Sequence, residues 1–320
     1  MKMTEDGVWW TVTAGPEDDG LTLGGVLRRR FQLSGRLYQR IVHAQAFRLN
    51  GRVSHTARTV HSGDVISVRI APSEPYGVEP EPIPLTVVYE DVHYLIVDKP
   101  TGQLVHPIFP EGRGTLAAGV AHWLKSRGIA ARVRPVNRLD RDTTGLVLFA
   151  KHALAHARAD ELLRGGRIER VYLAFVHGRP DPPEGAVELP IGRDPHHSMR
   201  RIVRDDGHPA KTLYRVRRSF SGGALVELRL ITGRTHQIRV HMAHIGHPLF
   251  GDRLYGGREH PRAPLGRQAL HAYRLAFPHP FQEGEIAVES PLPDDLRRLY
   301  AALEQEEPMS ESGACRAERC

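Results

Sequence analysis

The chain has 320 residues, of which 40% are hydrophobic and 25% charged, the balance of a folded protein and not of a disordered or membrane-embedded one. No apolar run approaches the roughly 18 residues that span a bilayer, and the opening MKMTEDGVWW lacks an apolar stretch with a small-residue cleavage site, so a cytoplasmic location is expected. The only cysteines, Cys315 and Cys320, make no disulfide framework, and a net charge of +7 favours a polyanionic partner.

Residues 1–19 read as an N-terminal segment and 20–70 as a small α/β module. In LTLGGVLRRRF, Leu23, Val26, Leu27 and Phe31 recur at helical spacing. Ser34 offers an N-cap for a second helix with Leu37, Ile41 and Val42 on its apolar stripe. Asn50-Gly51 in FRLNGRV signals a hairpin, and Gly63-Asp64 a turn before a last strand of Val65, Ile66 and Val68. Arg36, Arg40 and Arg52 belong to a ring of arginines whose guanidinium forks suit phosphate oxygens; a solvated face is the plainer reading. The order of helix, SGR helix, NGxV hairpin and SGDxI strand resembles the αL RNA-binding module of ribosomal protein S-four.

APSEPYGVEPEPIP, residues 71–84, is a proline- and glutamate-rich linker, and a larger unit follows at 85–303. Strands are expected at VHYLIVDKP, GLVLFAK, RVYLAFVHG, KTLYRVRR, ALVELRLITG and ALHAYRLAF. Helices are expected at LAAGVAHWLKSRG, HALAHARADELLRGG, within RTHQIRVHMAHIG and at LPDDLRRLYAALEQ. Strands and helices do not alternate strictly, so an α+β fold is expected, with a mixed, mainly antiparallel sheet and flanking helices. The polar tail, 304–320, reads as disordered.

Four stretches can host chemistry: DKPTGQLVHP, NRLDRDTTG, RIERVYLAF and TGRTHQIRVHMAHIGHPLFGD. His236, His241, His244 and His247 lie close in sequence, yet no acidic residue lies between Gly233 and Phe250, and Arg234 and Arg239 would repel a cation, so no metal is expected. There is no G-x-S-x-G, and neither glycine-rich nucleotide fingerprint occurs. Asp140 remains. Such a carboxylate is most often a structural salt bridge or turn cap. Kept ionised by a guanidinium, it can instead act as a nucleophile.

RLDRDTTGLVLFAK resembles the signature of RluA-type pseudouridine synthases, which convert uridine to pseudouridine in structured RNA. DKPTGQLVHP, RVYLAFVHG and LITGRTHQIRVHMAHIGHPLFGDRLYG resemble that family's other motifs, in its order, from about Val87 to Phe277. The resemblance implies the pseudouridine synthase fold, no cofactor, and roles for three residues. Asp140 is the catalytic aspartate, Tyr172 stacks on the target base and assists proton transfer, and Arg239 keeps the aspartate ionised. Arg138, Arg141, Lys99, His106, Arg234 and His236, within these motifs, are candidates for RNA contact, with loop packing as the alternative for the first four. Two positions depart from the pattern: Thr144 stands where Ser is common, which keeps the hydroxyl, and Asn137 stands where the family usually has His, and Asn carries no charge near neutral pH. The resemblance implies an RNA partner, ribosomal RNA before transfer RNA, and a monomer is the default. The rivals are a non-catalytic RNA-binding or ribosome-assembly factor and a metal-dependent hydrolase built on the histidines.

Overall fold

The computed structural model describes residues 2–4, 7–71, 74–109 and 112–306. They form two compact units, residues 1–97, 105–138 and 147–162 in the first, and 98–104, 139–146 and 163–320 in the second.

The first unit opens with a five-stranded sheet. Its strands are β1 (Lys2–Thr4) and β2 (Gly7–Thr13), then, after α1 (Leu23–Phe31) and α2 (Gly35–His43), β3 (Phe47–Leu49), β4 (Arg52–Val53) and β5 (Val65–Ala71), in the order β1-β2-β5-β3-β4. The segment ahead of residue 20 thus adds two strands to this sheet. Thr22 and Ser34 cap α1 and α2, their hydroxyls accepting from Gly25 N and Leu37 N. Asn50 and Gly51 both have positive φ, 52° and 77°, the geometry of a tight hairpin turn.

The linker is irregular where it is described, but it is not a free tether. Glu74 N donates to Ala130 O, Val133 N to Tyr76 O and Glu81 N to Ala118 O, and the Glu74 carboxylate meets Arg40 and Arg134. Next come β6 (Thr86–Glu90), β7 (Tyr94–Lys99), α3 (Leu116–Lys125), β8 (Arg134–Pro135), β9 (Thr144–Ala150) and α4 (Ala153–Arg164). These strands lie in the order β9-β7-β6, with β8 on β9. Every residue of β9 is buried, which explains its unbroken apolar run.

The second unit carries β10 (Glu169–His177), β11 (Glu184–Glu188), β12 (Ile191–Arg193), β13 (Arg201–Val203), β14 (Lys211–Ser219), β15 (Gly223–Leu230), α5 (Gln237–His244), β16 (Leu270–Pro278), β17 (Glu285–Glu289) and α6 (Asp294–Glu304). Strands run β11-β14-β15-β10-β16, with β17 also on β16, all antiparallel. One parallel pairing breaks the pattern: Thr144 and Gly145, at the start of β9, pair with His271 and Ala272 of β16. This is the mixed, mainly antiparallel sheet with flanking helices that the motifs imply. Leu296, Leu299 and Leu303 of α6 pack with Phe175 and Phe250.

No helix among the described residues is long and apolar enough to cross a membrane. The expected long strands and helices all form. Six short strands within 85–303, β6, β8, β11, β12, β13 and β17, were not anticipated; most of their residues are exposed or half-buried, so they carry no clear apolar run. The expected disorder of 304–320 falls beyond the described residues from 307 onward, and Glu304 itself ends α6.

Candidate active site

The loop that carries Asp140 is fastened on both sides of it. Lys99, 1% exposed, donates from Nζ to the carbonyls of Pro100, Gln103 and Arg141 at 2.8, 2.9 and 2.8 Å. Burial pulls its pKa down to about 8, which leaves it charged at neutral pH, as three carbonyl acceptors require. Further along, Asp142 O accepts from Arg267 Nη1 (3.1 Å), Thr143 Oγ1 accepts from Gln268 Nε2 (2.9 Å), and Thr144 Oγ1 meets His271 Nδ1 at 2.9 Å. Gly145 closes the loop at φ +110°, and a Cβ there would lie 2.3 Å from Ala272 O, so only glycine lets β9 approach β16 so closely. The Asp140 side chain is 25% exposed.

Its partner comes from α5. Gln237 anchors the first turn through four bonds: its Oε1 accepts from Arg234 N and Thr232 Oγ1, and its Nε2 donates to Lys211 O and Thr212 Oγ1. Two residues on, the buried Arg239 donates from Nη1 to Asp140 Oδ2 at 3.0 Å. Its Nε and Nη2 donate to both oxygens of Asp252 at 2.7 and 2.8 Å. Burial alone would lower the Arg239 pKa; the bonds to Asp252 and the two carboxylate charges override it and hold the guanidinium above its ordinary value. Tyr255 lies under the same guanidinium, 5.1 Å from ring centroid to Arg239 Cζ.

His236 stands just ahead of α5 with φ 59°. Its Nε2 is 3.8 Å from Asp140 Oδ2 and its Nδ1 is 2.8 Å from Tyr255 Oη, which also accepts from Arg201 N at 3.0 Å. Burial lowers the His236 pKa and outweighs the opposing pull of Asp140, which favours a neutral ring. Tyr172, 5% exposed, sits on β10 beside a register shift between Val171 and Tyr172. Its hydroxyl is pushed up by burial and by the charge of Asp140, with Arg170 opposing, and it makes no hydrogen bond with another described residue. Arg170 donates to Leu230 O at 3.1 Å, while its buried Nε has no hydrogen-bond partner among the described residues.

Asp140, Arg239 and His236 therefore meet, and Tyr172 lies within their electrostatic reach. Lys99 does not face solvent: all three of its donors go to backbone carbonyls, so the loop-packing alternative describes it and phosphate contact does not. Arg141 and Arg234 are exposed, Arg234 donating from Nε to Pro209 O. In the first unit, Arg138, His106, Arg36 and Arg52 are exposed, and Arg40 is engaged with Glu74 at 2.7 Å. Asn137 is buried and its Oδ1 accepts from Leu148 N at 2.8 Å, the act of a loop fastener.

His241 and His247 are occupied separately. His241 bonds Thr212 and Leu189 O, and His247 bonds His177 O. Among the described residues no group of three or more His, Cys, Asp or Glu side chains gathers as a metal site. Three residues escaped the sequence reading: Gln237, Asp252 and Tyr255. Asp252 had a signal in its setting, since Gly251 (φ 71°) precedes it and a Cβ at Gly257 would lie 1.8 Å from Leu249 O, so this turn admits little but glycine.

Residues 93–244 match the model of the family described as RNA pseudouridylate synthase. A Bacillus subtilis (strain 168) protein named as uncharacterized RNA pseudouridine synthase YhcT is 38% identical over 299 residues, 93% of this chain and 98% of its own. Ribosomal large subunit pseudouridine synthase D of Xanthomonas campestris pv. campestris is 38% identical over 271 residues, 81% of each chain. The solved structure of human RNA pseudouridylate synthase domain containing 4 shares the fold, with TM-score 0.56 at 24% identity over 69% of this chain and 94% of its own.

Proposed function

We propose a substrate and a mechanism from one premise: the chain belongs to the RNA pseudouridine synthase family and is an RNA pseudouridine synthase. The substrate is a uridine of structured RNA, and large-subunit ribosomal RNA is favoured because relatives such as the Xanthomonas protein carry that RNA in their names. The observation that carries the catalytic assignment is the Asp140–Arg239 pair at 3.0 Å, on a loop tied down by Lys99, Gln268 and His271.

A stacked uridine is out of reach of a carboxylate anchored in this way, so it is flipped out at a cost of a few kcal/mol. Tyr172 offers the base a ring face. Asp140 starts cleavage of the bond between ribose carbon 1 and base nitrogen 1, by attacking the sugar or by removing a ribose proton. Both routes require an ionised carboxylate, and the Arg239 guanidinium donates to it at 3.0 Å. The freed uracil turns and rejoins through carbon 5, which then loses its proton. The proton from carbon 5 passes to solvent, but no bond to a water oxygen forms, so the site holds the base while excluding water from the sugar. His236, and Arg138, Arg141 and Arg234 on the surface, contact the RNA around the target. In the N-terminal module, read as αL-like, the exposed Arg36 and Arg52 serve RNA docking.

Tritium release from RNA labelled at carbon 5 of uridine tests this, with large-subunit ribosomal RNA from cells lacking the gene. Wild type should release tritium and Asp140→Ala should not, while still binding RNA. Release by Asp140→Ala at near wild-type rate would refute the assignment of Asp140. Silence of both proteins, with tight binding by both, would favour the non-catalytic factor.

A further inference from the structure

The segment IGRDPHHSMRRIVRDDG, 191–207, lies outside the main sheet and forms a two-stranded ribbon, β12 with β13. In its register Arg193 stands directly opposite Arg201. Like charges in directly opposed positions destabilise a strand pair, and neither guanidinium has a carboxylate within ion-pair distance among the described residues. Of the three acids in the segment, Asp194 pairs with Arg200 at 3.9 Å and Asp206 with Arg204, while the exposed Asp205 forms no ion pair among the described residues and is not in the groove lining. The ribbon borders a groove whose walls include Arg193, Arg201, Arg204, His208, Arg234 and Thr235. Arg204 lies across Gly192, where a Cβ would come within 2.4 Å of its Cδ. Asp206 is the single carboxylate in the lining, so three of the four guanidinium groups there lack an anionic partner among the described residues.

The ribbon is bolted to the catalytic centre. Ile191 packs in one cluster with Val240 of α5 and with Tyr255. Arg201 N donates to Tyr255 Oη, which bonds His236, whose Nε2 is 3.8 Å from Asp140. Arg234 and Thr235 lead directly into His236. An uncompensated cationic groove is therefore held rigidly beside the reacting carboxylate, and planar guanidinium groups suit phosphate oxygens.

We propose that this groove binds the phosphates of the RNA strand flanking the target uridine, with Arg193 and Arg201 as a paired clamp and Arg234 at its inner end. The proposal rests on RNA being the substrate. The bound phosphates would offset the like-charge opposition that the free protein tolerates.

The test is equilibrium binding of an unmodified transcript of large-subunit ribosomal RNA across a salt series, with tritium release from the same RNA measured in parallel. Each phosphate that the protein ceases to neutralise lowers the slope of log affinity against log salt by roughly 0.7–0.9, so Arg193→Ala/Arg201→Ala should lower it by about 1.5. Arg193→Lys/Arg201→Lys should keep most of the slope. Arg215→Ala/Arg217→Ala, on β14, removes the same charge where both arginines already have glutamate partners and should change it far less. The thermal midpoint of Arg193→Ala/Arg201→Ala should equal or exceed that of wild type, since a repulsion is removed. An unchanged slope, or an equal loss in the β14 control, would overturn the groove assignment while wild-type tritium release leaves the function intact. Absence of wild-type release on every RNA offered would instead overturn the reading on which the proposal rests.

Discussion

Arg239 turns its two-pronged face, Nε and Nη2, to Asp252 and meets Asp140 through one N–H of Nη1. Asp252, almost fully buried, fixes the guanidinium in plane, and Asp140 meets a cation that is already oriented. The arrangement separates holding from reacting: Arg239 engages both oxygens of one carboxylate and a single oxygen of the other.

Asp252→Asn keeps the volume but weakens the fork, so Arg239 can swing. Misplacement of a catalytic group by about 1 Å costs on the order of 100-fold in rate. We expect kcat to fall at least tenfold with the KM for RNA unchanged, measured by single-turnover tritium release. Asp252→Ala also leaves a buried cation with one partner fewer, at about 3–5 kcal/mol of stability. A kcat for Asp252→Asn within twofold of wild type would show that Asp140 alone holds the guanidinium.

Tyr172→Phe separates the ring from the hydroxyl. Burial raises the hydroxyl pKa, so it remains an O–H donor at neutral pH, and it has no hydrogen-bond partner among the described residues. Its removal should leave the thermal midpoint nearly unchanged and RNA affinity within about twofold. If the hydroxyl moves a proton, the rate falls by roughly 100-fold or more, the range of general acid–base catalysis; that loss is the expected outcome. Full activity in Tyr172→Phe would confine Tyr172 to stacking.

The chain's long elements were legible because burial writes itself as period: β9 reads as a continuous apolar run, and α1 places Leu23, Val26, Leu27 and Phe31 on one face. The short strands were not, since β11 and β17 expose most of their residues. Within the site, Asp140 and Arg239 are 99 residues apart, and only the resemblance of their motifs to a family linked them in the sequence. Asp252 follows a turn, and that turn is what delivers it to Arg239. Lys99 read equally as a contact for RNA or as loop packing; its cage is made of irregular backbone carbonyls, which leave no mark in side-chain pattern.

Asn137 occupies the position where the family usually has His, and it is spent on the backbone of β9. Asn137→Ala strips a buried N–H of its acceptor and should cost about 1–3 kcal/mol. Neither that variant nor Asn137→His should alter the salt dependence of RNA binding, because this side chain is buried. A slope steeper by one in Asn137→His would show that the position reaches a phosphate.

Acid should loosen the fold through its buried histidines. Ala155 N donates to His152 Nδ1 at 3.1 Å, so the neutral ring carries its proton on Nε2 and offers it to His93 Nδ1, 2.8 Å away. A second proton would have to enter at Nδ1, against the Ala155 N–H. Burial, and then His93, hold the His152 pKa well below 6.5. Burial likewise lowers His241 and His271. The unfolded chain takes up these protons near pH 6.5 and the folded chain does not. Stability is therefore fully present above that pH and is lost as pH falls from there toward the depressed folded values. Carboxylates held low, such as Asp64 and Asp295, give up their contribution only at more acid pH. The urea midpoint should drop between about pH 7.5 and pH 5, and His152→Gln should make that drop shallower. A midpoint that is flat across this range would mean that the buried rings accept protons as readily as the unfolded chain does.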